Sequence, residues 1–510
     1  MKNILKYTFV VLAVGLTSCD PEFDSPVTDE GFYSSGTANL SKYVAVGNSL
    51  TAGYADGALY ITGQENSYPN IMAEQFAFVG GGEFSQPLMN DNVGGLLYNG
   101  AQLTENRFVL AVGSDGSPGP VRLEGNPTTE ITNKLSGPFN NMGVPGAKSF
   151  HLVAPGYGNA AGVPVGASNP YFARFSTTEN ATVIADAASQ NATFFSLWIG
   201  NNDILSYATS GGSGIDQTGN LDPSTYGGND ITDPNVFASV YSQQVDALTA
   251  GGAKGVLINI PEVTSIPYFT TVPTNAIPLD AATAAALNAQ FAAYNSQILP
   301  GLVANSVISA EEAALRMISF SAGQNYPIMT DDDLTDLTAI LQGPPFNLPA
   351  PLATLLGQLR QVKANDLVVL TASSVLGSTP DPSNPQGVIG VSIPLSDQYV
   401  LAVSEQERIT AASTAYNATI EALAAAKGLA YVDAKTALAR VANGGVSFEG
   451  GVLSSQFVTG GAFSLDGVHP TPRGYAYTAN LIIQAINQTY DATIPMVHIG
   501  NYGTIMTTNN

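Results

Sequence analysis

The chain has a single cysteine, Cys19, among its 510 residues. One thiol cannot close an intrachain disulfide or supply the several sulfur ligands of a thiolate metal cluster. Charged residues are also scarce, at 11%, and only 17 Lys and Arg stand against 40 Asp and Glu, giving a net charge of −23. Nucleic-acid binding needs a basic surface, so the composition argues against a nucleic-acid partner. The negative field also makes neutral substrates easier to accommodate than strongly anionic ones.

A long apolar run is absent from the N-terminus, where the hydrophobic stretch 7–16 is too short to cross a bilayer. This stretch follows Lys2 and Lys6 and leads into Leu-Thr-Ser-Cys at 16–19. A positive segment, a short apolar segment and a terminal cleavage motif are typical of an export signal. The motif at 16–19 resembles the lipobox of bacterial lipoproteins.

That resemblance implies a signal peptide at 1–18, removed before Cys19, and a diacylglycerol thioether on the cysteine sulfur. Several acyl chains would anchor the protein stably in the outer membrane, on its periplasmic or cell-surface side. Residues 19–40 are predicted to be a flexible acidic tether. The alternative is a plain secretory signal that happens to end beside a cysteine.

The hydrophobic content of 45% supports a large core. Continuous apolar runs predict strands covered on both faces, as in a parallel sheet; they lie at 43–46, 194–199, 255–260, 367–370 and 429–432. Segments with helical character lie between or after them, at 236–250, 279–299, 405–427 and 474–490. This alternation predicts an α/β class protein, a doubly wound three-layer α/β/α sandwich.

The predicted domain spans 41–490 and is enlarged by insertions, with a C-terminal tail at 491–510. The insertions are placed at about 78–138, 206–234 and 264–365. The last of them is long enough for a helical subdomain or a lid.

Four short blocks carry the chemistry, in this order: Gly-Asn-Ser-Leu at 47–50, Asn-Met-Gly-Val-Pro-Gly at 141–146, Gly-Asn-Asn-Asp at 200–203 and Asp-Gly-Val-His at 466–469. Ser49 follows a predicted strand, where a parallel sheet presents its functional groups. His469 alone among the three histidines has an aspartate, Asp466, three residues before it. An Asp-x-x-His loop can hold one imidazole nitrogen on the carboxylate while the other faces a serine.

The remaining histidines, His151 and His498, are interpreted as structural. Gly146 and Asn202 are candidate oxyanion donors, through a backbone N–H and a side-chain amide. Ordinary turn chemistry is the alternative explanation for both, because Asn and Gly are common in turns. Trp198 is interpreted as a core residue.

Together the blocks resemble those of the SGNH/GDSL hydrolase superfamily, whose members have a flavodoxin-like α/β/α fold. The resemblance implies that Ser49 is the nucleophile, His469 the general base and Asp466 the residue that orients it. It implies an oxyanion hole made of the N–H groups of Ser49 and Gly146 and the side chain of Asn202, with Gly143 as the fallback in the same loop. It implies no cofactor and no metal.

One position departs from the family pattern, because Asn48 stands where aspartate is usual. The function expected from the resemblance is that of a lipid-anchored serine esterase acting on neutral esters. Lipids, short acyl esters and acetylated glycans remain open as substrates. The alternative is an inactive surface lipoprotein of the same fold that binds glycan or a protein partner.

Overall fold

Five parallel strands form the central sheet of the computed structural model, which describes residues 32–113, 116–505 and 507. The strands are β1 (Tyr43–Gly47), β2 (Asn141–Gly143), β3 (Phe194–Trp198), β4 (Lys254–Ile258) and β5 (Ala430–Val432). Their order in the sheet is β2-β1-β3-β4-β5, and every neighbouring pair is parallel. Four of the five predicted apolar runs are therefore confirmed as strands of one parallel sheet.

Side chains that alternate along each strand enter two separate cores, one on each face of the sheet. In β1, Val44 and Val46 join the first core, whereas Tyr43 and Ala45 join the second. A strand has a side-chain period of two, so a continuous apolar run fills both faces. The result is the predicted α/β/α arrangement of three layers.

The main helices of this three-layer body are α1 (Ser49–Ala52), α2 (Tyr68–Phe76), α3 (Val183–Ser189), α4 (Asn202–Thr209), α5 (Pro234–Thr249), α6 (Val403–Lys427), α7 (Ala434–Ala442) and α8 (Pro472–Tyr490). Helices α3, α4, α5 and α6 supply the first core, and α2, α7 and α8 supply the second.

Two local predictions differ from the structure. The run 367–370 was predicted as a strand of the main sheet, but only Leu367–Val368 is extended, and it pairs antiparallel with Val400–Leu401 outside that sheet. Four apolar residues do not distinguish a buried parallel strand from one arm of a ribbon. Conversely, β2 was predicted only as loop, because Asn and Gly have low strand propensity.

The 264–365 segment has a hydrophobic core of its own, built around Leu287, Phe291 and Leu341. Its helices are Pro267–Thr270, Ala281–Ala293, Leu299–Ala304, Ala310–Arg316, Thr338–Gln342 and Ala350–Gly357, with a π-helical turn at Tyr294–Ile298. The segment is therefore largely helical and has a core separate from the two on the faces of the sheet.

Short antiparallel ribbons and turns complete the chain. The ribbons pair Leu97–Tyr98 with Ala101–Gln102, Phe108–Val112 with Pro118–Arg122, Ile277–Leu279 with Gly323–Asn325, Ile328–Thr330 with Leu359–Gln361, and Val446–Phe448 with Gly451–Leu453. The remaining short helices are Ile61–Glu65, Ala77–Val79, Ser149–Val153, Ala160–Val165, Pro170–Ala173, Pro223–Thr225, Val263–Ser265, Leu370–Ser374, Asp397–Tyr399 and Ile499–Asn501.

Both ends of the described chain pack against the body. Ala38 and Leu40 are buried in the second core, and the N–H of Thr37 donates to the carbonyl of Tyr490 at 2.8 Å. The predicted flexible tether is therefore wrong for 32–40, where burial of apolar side chains holds the chain on the surface of the fold. The signal peptide, Cys19 and the rest of the tether lie outside the described residues. Within the described part of the chain, no helix is both long and apolar enough to cross a membrane.

Candidate active site

Ser49 is the first residue of α1, and only Asn48 separates it from the end of β1. The side chain of Asn48 accepts a hydrogen bond from the N–H of Leu50 at 3.1 Å and so caps the helix. Gly47 is needed at the strand end, because a Cβ there would lie 2.4 Å from the carbonyl oxygen of Trp198. The turn presents Ser49 at the carboxyl edge of the sheet, beside the point where the strand order reverses. Open α/β sheets bind ligands at such switch points.

A continuous hydrogen-bond chain joins Ser49, His469 and Asp466. The Nε2 atom of His469 lies 2.9 Å from Oγ of Ser49, although 420 residues separate the two in the sequence. The Nδ1 atom of the same ring lies 2.9 Å from Oδ2 of Asp466. Gly467 makes the Asp-x-x-His turn possible, because its φ of +72° lies in the left-handed region.

The carboxylate of Asp466 accepts five hydrogen bonds. Its Oδ1 accepts from the N–H groups of Val468 and His469, both at 2.8 Å, and from the hydroxyl of Ser464 at 3.1 Å. Its Oδ2 accepts from the N–H of Gly57 at 2.9 Å as well as from the imidazole. Burial opposes ionisation here, but His469 and the hydrogen bonds outweigh it and lower the pKa of Asp466 to about 2. The group is therefore ionised at neutral pH and fixes which imidazole nitrogen carries the proton.

The three candidate oxyanion donors lie on turns that follow β1, β2 and β3. Asn202 is the first residue of α4, and its Nδ2 donates one hydrogen bond to the carbonyl of Ala147 at 2.9 Å. The amide has a second N–H, which leaves one proton for a ligand. Among the described residues, the backbone N–H groups of Ser49 and Gly146 have no acceptor within the protein. Both N–H groups are therefore free to donate to a ligand that reaches them.

Gly143 does not serve as the fallback donor. It is the buried last residue of β2, and its N–H already donates to the side-chain oxygen of Asn141 at 3.0 Å. Gly146, three residues later, is exposed and has a φ of +80°. Gly143 therefore permits close packing, whereas Gly146 forms an exposed turn.

Asp203, which received no role from the sequence, braces the same loop. Its fully buried carboxylate accepts from the hydroxyl of Ser149 at 2.6 Å and from the N–H of that residue at 2.8 Å. Burial raises the pKa of Asp203, and these hydrogen bonds oppose the rise. Together with the bond from Asn202 to Ala147, this contact fixes the 146–149 loop against the start of α4. The only sequence signal for this role of Asp203 was its position in the Gly-Asn-Asn-Asp block at 200–203.

Asn48 makes a contact that an aspartate could not make. Its Nδ2 donates to Oδ1 of Asn201 at 3.2 Å, while its own oxygen caps α1. An aspartate keeps the cap but has no proton to donate. The unusual residue therefore links the turn after β1 to the turn after β3.

Tyr54 packs against the imidazole and was not identified from the sequence. The ring centres of Tyr54 and His469 are 4.7 Å apart. The phenol donates to the carbonyl of Gly57 at 2.8 Å, and the backbone carbonyl of Tyr54 accepts from the hydroxyl of Tyr475 at 2.7 Å. The tyrosine is held at both ends and restricts the movement of the histidine ring.

The other two histidines lie outside this hydrogen-bond chain. His151 accepts the N–H of Lys148 at Nδ1 and stacks on Tyr157 with ring centres 4.6 Å apart. Burial, with a smaller contribution from the charge of Lys148, lowers the pKa of His151 to about 4. His498 is largely exposed beside Glu449. Both arrangements agree with their structural interpretation.

Two spaces meet at His469. A narrow cavity of about 120 Å³ extends from Ser49 and Asn202 into the second core, between α7 and α8. A wide groove of about 1500 Å³ lies on the side of Asp466 and is walled by the inserted segments. Apart from His469 and Val468, the two linings share no residue among the described parts of the chain.

One group of carboxylates in the described chain has the spacing of a cation site: Asp331, Asp332 and Asp397, with oxygens within 4.8 Å of one another. Asp331 is already paired with Arg360. None of the three aspartates lines the cavity or the groove. The hydrogen-bond chain at Ser49 is built without them.

Comparison of the chain with protein-family models, with curated proteins and with solved structures gave no match.

Proposed function

We propose that this protein is a serine esterase that hydrolyses carboxylic esters through an acyl-Ser49 intermediate. The observation that carries the proposal is the hydrogen-bond chain from Ser49 through His469 to Asp466, with both contacts at 2.9 Å. A serine hydroxyl is a weak nucleophile until a base takes its proton. The ionised carboxylate at Nδ1 leaves Nε2 free to be that base.

In the proposed reaction, Oγ of Ser49 attacks the ester carbonyl while Nε2 of His469 takes the hydroxyl proton. The imidazolium then gives this proton to the departing alcohol, leaving the acyl group bonded to Ser49. A water molecule next loses a proton to His469 and attacks the acyl carbon. The tetrahedral intermediate formed by this attack then collapses, which returns the proton from His469 to Ser49 and releases the carboxylic acid.

Charge on the carbonyl oxygen would be held by the N–H groups of Ser49 and Gly146 and by the amide of Asn202. Each such donor contributes about 3 kcal/mol to transition-state stabilisation. The bonds from Asn202 to Ala147 and from Asp203 to Ser149 support the preorganisation that this requires. Donors that are already in place need no rearrangement as the charge develops.

We further propose that the chain is an SGNH/GDSL hydrolase. The strand order 2-1-3-4-5 is that of flavodoxin-like folds. All four sequence blocks lie at the carboxyl edge of this sheet or in the turn that meets it. This arrangement supports the family proposal independently of the motif match.

The groove favours a lipid over a glycan as the substrate class. Its walls carry mainly aliphatic and aromatic side chains, among them Leu370, Leu376, Val388, Val391 and Phe457. Apolar walls gain free energy by covering an apolar chain, whereas a glycan needs many polar partners. We therefore propose a neutral ester with a long apolar part as the substrate.

A fluorophosphonate probe tests the proposal directly. The activated Ser49 hydroxyl should displace fluoride from phosphorus, and peptide mass spectrometry should place the adduct on that residue. Ser49→Ala is the matched control and should remain unlabelled. A folded wild-type protein that takes no label would instead favour the inactive, ligand-binding alternative.

Asn202→Ala is expected to lower kcat by about 10²- to 10³-fold with a smaller change in KM, because the amide acts mainly on the transition state. Steady-state kinetics on p-nitrophenyl acetate would measure both constants. A kcat equal to that of the wild type would remove Asn202 from the oxyanion hole. A change in KM alone would assign it to substrate binding.

We propose that the protein is an outer-membrane lipoprotein anchored through Cys19. Cys19→Ser is then expected to move the protein from the membrane fraction to the soluble fraction, because the acyl chains that hold it are lost. Esterase activity should be retained, and the two can be compared by fractionation and assay. A variant that still sediments with membranes would require another anchor.

A further inference from the structure

The narrow cavity behind Ser49 is lined almost entirely by apolar side chains. Trp198 and Ile258 come from the sheet, Ala437 and Val441 from α7, and Leu481 from α8. Protein interiors are packed closely and hold few voids larger than a water molecule. A space of about 120 Å³ at this position is therefore unusual. An apolar space of this size accepts small apolar ligands.

The lining of the cavity includes the proposed catalytic groups. Ser49, Asn202 and His469 all line it, together with Asn48. An ester carbonyl held at Ser49 would therefore have one of its two arms directed into the apolar cavity. The other arm would lie toward the groove, which begins at His469 and Asp466.

We infer that the cavity is the pocket for the acyl chain, and that the groove takes the alcohol part of the ester. This inference rests on the proposed function. The acyl carbon is bonded to Ser49 in the intermediate and its oxygen faces Asn202, and both of these residues line the cavity but not the groove. The alcohol receives its proton from His469 and must then leave, which the wide groove allows.

The cavity volume sets the length of chain that fits. At about 120 Å³, and with about 30 Å³ for each group of the size of a water molecule, it holds roughly four such groups, and a methylene group is of similar size. Acyl chains of about five or six carbons should fill it. Each added methylene should raise kcat/KM by about three- to fourfold until the space is full, after which the gain should stop.

The kinetic test compares p-nitrophenyl hexanoate with p-nitrophenyl acetate, which have the same leaving group. Ala437→Leu narrows the cavity and should lower the hexanoate-to-acetate ratio of kcat/KM by at least about tenfold. Ala439→Leu is the matched control, because Ala439 lies on the exposed face of the same helix, and its ratio should equal that of the wild type. Using a ratio cancels any general loss of activity in either variant.

A binding test needs no turnover. Trp198 is the only tryptophan in the chain, so intrinsic tryptophan fluorescence reports on the cavity wall. In the Ser49→Ala protein, 6-bromohexanoate should quench this fluorescence with saturation, and Ala437→Leu in the same background should weaken the binding.

The outcomes separate this inference from the proposed function. An enzyme that hydrolyses acetate but has a flat chain-length series, or a ratio unaffected by Ala437→Leu, overturns the acyl pocket and leaves the esterase intact. Saturable quenching in a protein that hydrolyses no ester would keep the apolar pocket and overturn the esterase. Absence of quenching in the folded protein overturns the pocket.

Discussion

His469→Ala is expected to lower kcat for ester hydrolysis by about 10⁶-fold, to the limit of detection. Without the imidazole, Oγ of Ser49 loses its hydrogen-bond partner at 2.9 Å, and no base remains to take the proton. The leaving alcohol also loses its proton donor. Steady-state assays on p-nitrophenyl acetate would measure the loss. His498→Ala is the matched control, because this side chain is exposed, and its kcat should equal that of the wild type.

The double variant Ser49→Ala/His469→Ala distinguishes catalysis from damage to the fold. Two residues that act as one unit give effects that do not add, so the double variant should be no slower than either single variant. Thermal unfolding should show all three proteins folded. Additive losses, or a residual rate in His469→Ala above about 1% of the wild type, would contradict the proposed base.

The sequence was sufficient to predict most of the sheet, because four of its five strands are continuous apolar runs and three of these runs end at Gly or Pro. The run 43–46 ends at Gly47, and a Cβ at that position would collide with the carbonyl of Trp198. Local chemistry and tertiary packing agree here, so the strand and its turn were both predictable. The Asp-x-x-His turn was predictable for the same reason, because the hydrogen bond from the N–H of His469 to the carboxylate of Asp466 spans only three residues.

The parts that could not be predicted depend on contacts between distant segments. Strand β2 is defined by pairing with β1, almost 100 residues earlier, and not by its own composition. The choice between Gly143 and Gly146 depends on whether an N–H is already occupied, which only the fold decides. Tyr54 is an ordinary aromatic in the sequence and acquires its role from the ring of His469.

The narrow cavity is the clearest case of this kind. Its walls come from β3, β4, α7 and α8, which span most of the domain. Each wall residue is an ordinary core residue in its own element. The space exists because small side chains such as Ala434, Ala437 and Ala462 meet there, and no single segment encodes it.

Asp466→Asn is expected to lower kcat by about 10⁴-fold while KM changes little. Every hydrogen bond to the Asp466 carboxylate comes from a donor: three backbone N–H groups, the hydroxyl of Ser464 and the Nδ1–H of His469. An amide must place an NH₂ group where one oxygen stood. If that group faces Nδ1, the imidazole becomes an acceptor there and carries its proton on Nε2, so it is no longer a base for Ser49.

The opposite amide orientation does not restore the site, because the NH₂ group then faces the N–H groups of Val468 and His469 and the turn loses two acceptor contacts. Asp56→Asn is the matched control: its Oδ1 accepts from Leu465 N–H, a contact that an amide oxygen keeps. That variant should stay within about tenfold of the wild-type kcat, since Asp56 does not touch the imidazole. Equal losses in the two variants would show that any buried carboxylate near the turn matters for folding, and Asp466 would lose its assignment as the residue that orients the base.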